Sequence, residues 1–69
     1  MKEDFQLSGV RRKKIVDLVE SLGSMAVKEL CREFQVSEAT IRRDLKELEE
    51  IGTVTRTHGG VMINSPSRF

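Results

Sequence analysis

The sequence predicts a mainly α fold closed by a small β-hairpin, with three helices first and two short strands after them. Three observations predict it. Apolar residues recur at helical spacing in three separate stretches ahead of Gly52. Beyond Gly52 the chain changes to β-branched, alternating text, Thr53-Val54-Thr55-Arg56-Thr57. A glycine pair, Gly59-Gly60, then separates that stretch from the apolar run Val61-Met62-Ile63.

Each element follows from local residues. Residues 1 to 8 are polar without a sustained period, and residues 1–9 are expected to form an N-terminal arm. Ile15, Leu18, Val19 and Leu22 fit i, i+3, i+4, i+7, which predicts a helix from about Val10 to Leu22. Gly23 suits its C′ position and Ser24 continues the turn. Val27, Leu30, Cys31 and Phe34 repeat the spacing and predict a second helix from Val27 to Phe34. Its start is weakly marked, because Ala26 has no side-chain oxygen to cap it. Gln35 and Val36 leave a tight connection before Ser37, a good N-cap for a third helix reaching about Ile51.

On that third helix Ile41, Leu45 and Leu48 form one apolar stripe. At about 100° per residue, Ala39, Arg43 and Lys46 lie roughly opposite it, with Arg42 on the flank. Gly52 is placed to end the helix. His58-Gly59-Gly60 supplies the positive φ positions that a tight hairpin needs. Residues 10–63 are thus read as one domain, and 64–69, with Ser65-Pro66-Ser67, as a linker or truncated end.

Bulk properties narrow the function. Sixty-nine residues make one small domain, and with no Trp or Tyr and three Phe its core must be aliphatic. A single cysteine cannot form an internal disulfide, so a reducing cytoplasm is the simplest setting. One His and one Cys are too few for the usual structural zinc site. No apolar run is long enough to span a membrane. Net charge is only +1, but Arg11 to Lys14 run together while Glu47, Glu49 and Glu50 gather elsewhere, which predicts a polarised surface. Catalysis has little support: there is no Gly-rich phosphate loop, no spaced acid–base pair and no nucleophile beside His58. No cofactor or metal is expected.

Two helices joined by a short turn, the second presenting polar and cationic residues outward, is the anatomy of a helix-turn-helix. A hairpin directly behind it makes it a winged helix-turn-helix. The stretch from Arg11 to Val61 also resembles the N-terminal domain of the DeoR family of bacterial transcriptional repressors. The resemblance rests on Arg11, Ile15-Val16-Asp17-Leu18, Gly23, Glu29-Leu30, Phe34, Val36-Ser37, Thr40-Ile41-Arg42-Arg43-Asp44-Leu45, Leu48, Gly52 and Arg56-Thr57-His58-Gly59-Gly60. Ala26 departs from it, since members often carry Ser or Thr there as the cap of the second helix.

The resemblance implies sequence-specific binding of double-stranded DNA, as part of a cytoplasmic repressor of a sugar or carbohydrate operon. It also implies a further C-terminal domain that senses a phosphorylated sugar and mediates homo-oligomerisation. The competing reading is a winged-helix module for protein–protein contact, which predicts an exposed apolar patch in place of a cationic one.

Base readout is assigned to Ala39, Thr40, Arg42 and Arg43, with Glu38 as a further candidate. Arg11, Ser37, Lys46, Arg56 and His58 are assigned to phosphates. Each has a plainer alternative. Arg42 or Arg43 can pair with Asp44 or Glu47; Thr40 can fill the turn; His58 can serve the hairpin; Asp44 can orient a neighbouring arginine. Cys31, on the apolar face with Val27 and Phe34, is read as core.

Overall fold

A computed structural model of the protein describes residues 8–64. Helix α1 spans Ser8–Leu22, strand β1 Ser24–Ala26, helix α2 Val27–Phe34, helix α3 Glu38–Ile51, strand β2 Val54–Thr57 and strand β3 Gly60–Ile63. The expected arm at 1–9 is shortened by this, because Ser8 and Gly9 already belong to α1; residues 1–7 lie outside the described part. The three helices and the hairpin stand where residue spacing puts them.

Helix α1 buries Arg11, Ile15 and Val19, one residue per turn on a single face. Leu22 continues that spacing yet is 63% exposed, since the last turn overhangs the core instead of lying on it. The helix stops at Gly23, whose φ of 90° favours glycine, and the Gly23 N–H donates to the Val19 carbonyl at 2.6 Å. Helix α2 buries Val27, Leu30 and Phe34. Ala26 caps it without a side-chain bond, but the Ala26 N–H donates to Glu29 Oε1 at 3.1 Å, half of a capping box. Helix α3 buries Ile41, Asp44, Leu45 and Leu48. It ends at Gly52, φ 96°, whose N–H donates to the Leu48 and Glu49 carbonyls. The Thr53 N–H reaches the Leu48 carbonyl as well.

The sheet has three strands in the order β1-β3-β2, all antiparallel, where a two-stranded hairpin is expected from the sequence. Ser24, assigned to a turn, is the first residue of the additional strand and stands opposite Met62. Three residues, Ser-Met-Ala, are too few to show alternation, and this strand exists because β3 offers it an edge. The Ile63 N–H donating to the Gly23 carbonyl at 3.0 Å extends the same pairing.

The hairpin tip also differs in detail. His58 and Gly59 form the two-residue loop, and of the three expected positive φ positions only Gly59 (80°) has one. Gly60 is needed for another reason. A Cβ there would stand 2.6 Å from the Met25 carbonyl oxygen, so the close approach of β1 to β3 requires its absence.

One core joins the three helices, β2 and β3: Ile15, Val19, Val27, Leu30, Phe34, Ile41, Leu45, Leu48, Val54 and Val61, with Met25 of β1 packed against it. Cys31 is half-buried and packs against it, as its place on the apolar face predicts. Asn64, expected to open a linker, is stitched into the fold. Its N–H donates to the Thr53 carbonyl at 3.0 Å and its side-chain amide to the Gly52 carbonyl at 2.8 Å, while its side-chain oxygen accepts from the Thr55 hydroxyl. Residues 65–69 lie outside the described part.

Candidate nucleic-acid interface

The site is built on α2, its turn and α3. Gln35 leaves α2 in the left-handed conformation, φ 58° and ψ 47°, and both its N–H and that of Val36 donate to the Cys31 carbonyl. This sharp exit lets Ser37 cap α3 two residues later. The Ser37 Oγ accepts from the Thr40 N–H at 3.2 Å, and its hydroxyl donates to the Thr40 Oγ1 at 3.1 Å. Thr40 is half-buried. Its Oγ1 thus accepts within the cap, while its own O–H is not used there.

With Ile41, Asp44, Leu45 and Leu48 turned inward, α3 exposes Ala39, Arg42, Arg43 and Lys46. Among the described residues Arg43 and Lys46 form no ion pair. Arg42 does: its Nη2 lies 3.3 Å from Glu38 Oε1, one helical turn back. The partner expected for Arg42 was Asp44 or Glu47, and the i,i+4 geometry selects Glu38 instead.

Asp44 belongs to Arg11. The Arg11 Nε donates to Asp44 Oδ2 and its Nη2 to Oδ1 at 3.1 Å, in a bidentate pair joining α1 to α3. Arg11 is 5% and Asp44 2% exposed. Arg12 Nη1 stands 3.9 Å from the same carboxylate and 4.0 Å from Glu47 Oε1. The hydrogen bond to Asp44, against the cost of burial, holds the Arg11 guanidinium above its ordinary pKa. Arg11 was expected to meet phosphate; in this structure its guanidinium is instead engaged inside the protein. Asp44 does pair with an arginine, but not with a neighbouring one on α3 as expected: its partner is Arg11, 33 residues away.

The wing stands beside this helix pair and is fastened to it. Strand β1 leads directly into α2, and the Val27 N–H, in the first turn of α2, donates to the Gly59 carbonyl at 3.0 Å. Arg56, Thr57 and His58 are exposed at the tip, and α3 packs on β2. Lys28, which no motif marks, is exposed next to Val27 and adds a cation where the wing tip meets α2. Among the described residues no group of three His, Cys, Asp or Glu is placed to hold a metal ion, and no helix is long and apolar enough to cross a membrane.

Residues 11–67 match the family model of the DeoR-like helix-turn-helix domain. The chain belongs to this DeoR-like family. Its relatives include a putative galactitol utilization operon repressor of Escherichia coli, 54% identical over 50 residues, 72% of this chain and 45% of that protein. The lactose phosphotransferase system repressor of Staphylococcus epidermidis is 42% identical over 59 residues, 86% of this chain and 24% of its own. The glycerol-3-phosphate regulon repressor of Escherichia coli is 44% identical over 57 residues, 83% of this chain and 23% of its own. This DeoR-like chain thus spans less than half the length of each. No solved structure gave a match. As a domain of this family, with a winged helix-turn-helix fold, it is a DNA-binding module of transcription regulation.

Proposed function

We propose that the chain reads an operator of a carbohydrate-metabolism operon as the DNA-binding part of a cytoplasmic repressor. The observation that carries this is the outer face of α3. Its first turns expose Ala39, Arg42, Arg43 and Lys46 over a capped N-terminus, with the cationic wing residue Arg56 on the neighbouring strand. In a helix-turn-helix the N-terminal residues of the second helix contact base edges in the major groove. Ala39, Arg42 and Arg43 take that role, with Arg43 the main reader, since a bidentate arginine–guanine pair is the commonest specific contact. Thr40, held by Ser37, contributes through its position in the cap.

Ser37, Lys46, Arg56 and His58, joined by Lys28, are the phosphate contacts that set the register. Arg11 has no part in contact; it holds α3 at its angle. Recognition of a phosphorylated sugar and homo-oligomerisation are assigned to sequence beyond this domain, in keeping with the greater length of the relatives. A protein-contact module would carry an apolar patch on this face, and the face is cationic.

Replacing Arg43 by Ala tests the assignment against Lys46→Ala in duplex binding. Arg43→Ala should lower affinity and relax base preference at one position by about 1–3 kcal/mol. Lys46→Ala should weaken all sequences about equally. Unchanged affinity and preference in Arg43→Ala would remove α3 from the groove.

A further inference from the structure

The exposed N-terminal half of α3 has one negative side chain among its cations, and it is not idle. Glu38 Oε1 lies 3.3 Å from Arg42 Nη2 with both side chains about half exposed, at 46% and 55%. Arg43 and Lys46 on the same face form no ion pair among the described residues. An exposed i,i+4 pair and a favourable helix dipole add little to stability. Facing a polyanion, by contrast, a carboxylate in the first turn repels every phosphate it approaches. Glu47, Glu49 and Glu50 lie in the later turns of α3, away from the residues that reach base edges. Glu38 alone of the four is in the reading position.

Base-edge chemistry restricts what a carboxylate can accept there. Guanine offers only the N7 and O6 acceptors in the major groove, and thymine offers O4 and a methyl group; all of these leave a carboxylate without a donor. Cytosine offers the N4 amino group with an acceptor, the paired guanine's O6, on one side only, whereas adenine N6 has acceptors on both sides. Adenine offers N6 with the N7 acceptor adjacent, which disfavours the second carboxylate oxygen. Cytosine is the complementary base.

We propose that Glu38 is a specificity-determining residue, its carboxylate accepting from the N4 amino group of a cytosine while it keeps the Arg42 guanidinium on the base edges instead of on phosphate. This rests on the DNA-reading assignment above. Two properties follow from one side chain. It selects a base, and it suppresses binding to duplexes lacking that base, because there its charge is left facing acceptors and phosphates.

Selection from random duplexes, with the wild-type chain, Glu38→Gln and Glu38→Ala, tests this. The wild type should enrich cytosine at one position of the site. Glu38→Gln should shift that position to adenine, whose N6 and N7 match an amide. Glu38→Ala should flatten it, cutting discrimination about five- to tenfold, as expected for loss of one base contact. Affinity of Glu38→Ala for non-selected duplex should rise. Its salt dependence should steepen by about 0.9 in log–log slope, as Arg42 becomes free to neutralise one more phosphate.

Thermal melts of the three proteins should nearly superimpose, since Glu38 is exposed. The same base preferred by all three proteins, or an equal fall in affinity for every duplex, would overturn the proposal while leaving DNA reading intact. A wild-type chain that binds no duplex at low salt would overturn both.

Discussion

The Arg11–Asp44 pair offers a sharp energetic test, because it is buried, bidentate and connects the first helix to the reading helix. Truncating Arg11 to Ala leaves a carboxylate that is 2% exposed with no hydrogen-bonding partner from α1 except Arg12, whose Nη1 stands 3.9 Å away. Breaking a buried pair from one side costs about 3–5 kcal/mol, since a charge is left uncompensated. Arg12 can move toward the orphaned carboxylate, so the lower end, about 3 kcal/mol, is expected for Arg11→Ala. At about 0.05–0.15 kcal/mol per residue, a domain of this size has roughly 3–10 kcal/mol in all. The variant should therefore melt about 12–24 °C lower, at ~4–8 °C per kcal/mol.

Asp44→Ala should also cost about 3 kcal/mol, as it removes the bidentate carboxylate from the buried guanidinium. Replacing both, as Arg11→Met with Asp44→Leu, should restore much of the loss, because apolar pairs of similar volume often match a buried ion pair. Urea titrations followed by circular dichroism measure all four corners of the cycle. Within pH 5–9 the pair should give no pH-dependent stability from Arg11. Its pKa is raised in the folded state, so the contribution is complete below the ordinary arginine value and is lost only in strong alkali. Single variants that lose less than about 1 kcal/mol, or no coupling in the cycle, would refute the reasoning.

Four other outcomes follow from the same geometry. Gly60→Ala should destabilise by about 1–3 kcal/mol in chemical denaturation, since its Cβ would meet the Met25 carbonyl oxygen at 2.6 Å and push β1 off β3. Gln35→Gly should stabilise by about 0.5–1 kcal/mol, the relief of a left-handed φ of 58° exceeding the added chain entropy; a lower melting temperature would contradict this. Ser37→Ala should cost about 0.5–2 kcal/mol by removing the cap on the Thr40 N–H, measured by the same melts. Burial, then the charge of Glu38, pushes the Cys31 thiol above its ordinary pKa. Iodoacetamide should thus alkylate it more slowly at pH 8 in the folded than in the urea-unfolded chain. The shift also stabilises the fold below the ordinary thiol range and is lost as pH rises through the folded value.

What the sequence made legible was local. Ser37 and Gly52 delimit α3 because a hydroxyl and a left-handed glycine act within one turn of themselves. The apolar spacings of α1 and α2 give their buried faces for the same reason. What escaped was set by distant partners. Strand β1 is three residues that become a strand only against β3. Arg11 and Asp44 are 33 residues apart, and nothing in either neighbourhood shows that they meet. Leu22 keeps perfect helical spacing and still faces solvent, because spacing reports a face and not how far the core extends beneath it. The outward set Ala39, Arg42, Arg43 and Lys46 was legible, as the complement of the stripe Ile41, Leu45 and Leu48. The Glu38–Arg42 pair is also written in the i,i+4 spacing of α3, although the expected partner of Arg42 was Asp44 or Glu47.

The central claim is that the outer face of α3 and the tip of the wing form the DNA-reading surface. Backbone amide shifts of the isotope-labelled chain, titrated with duplex DNA at low salt, test it directly. The account predicts the largest perturbations over residues 37–46 and 56–60, with the buried face of α1 around Arg11 and Ile15 little changed. Perturbations centred instead on the exposed side of α1, or none at low salt, would contradict it.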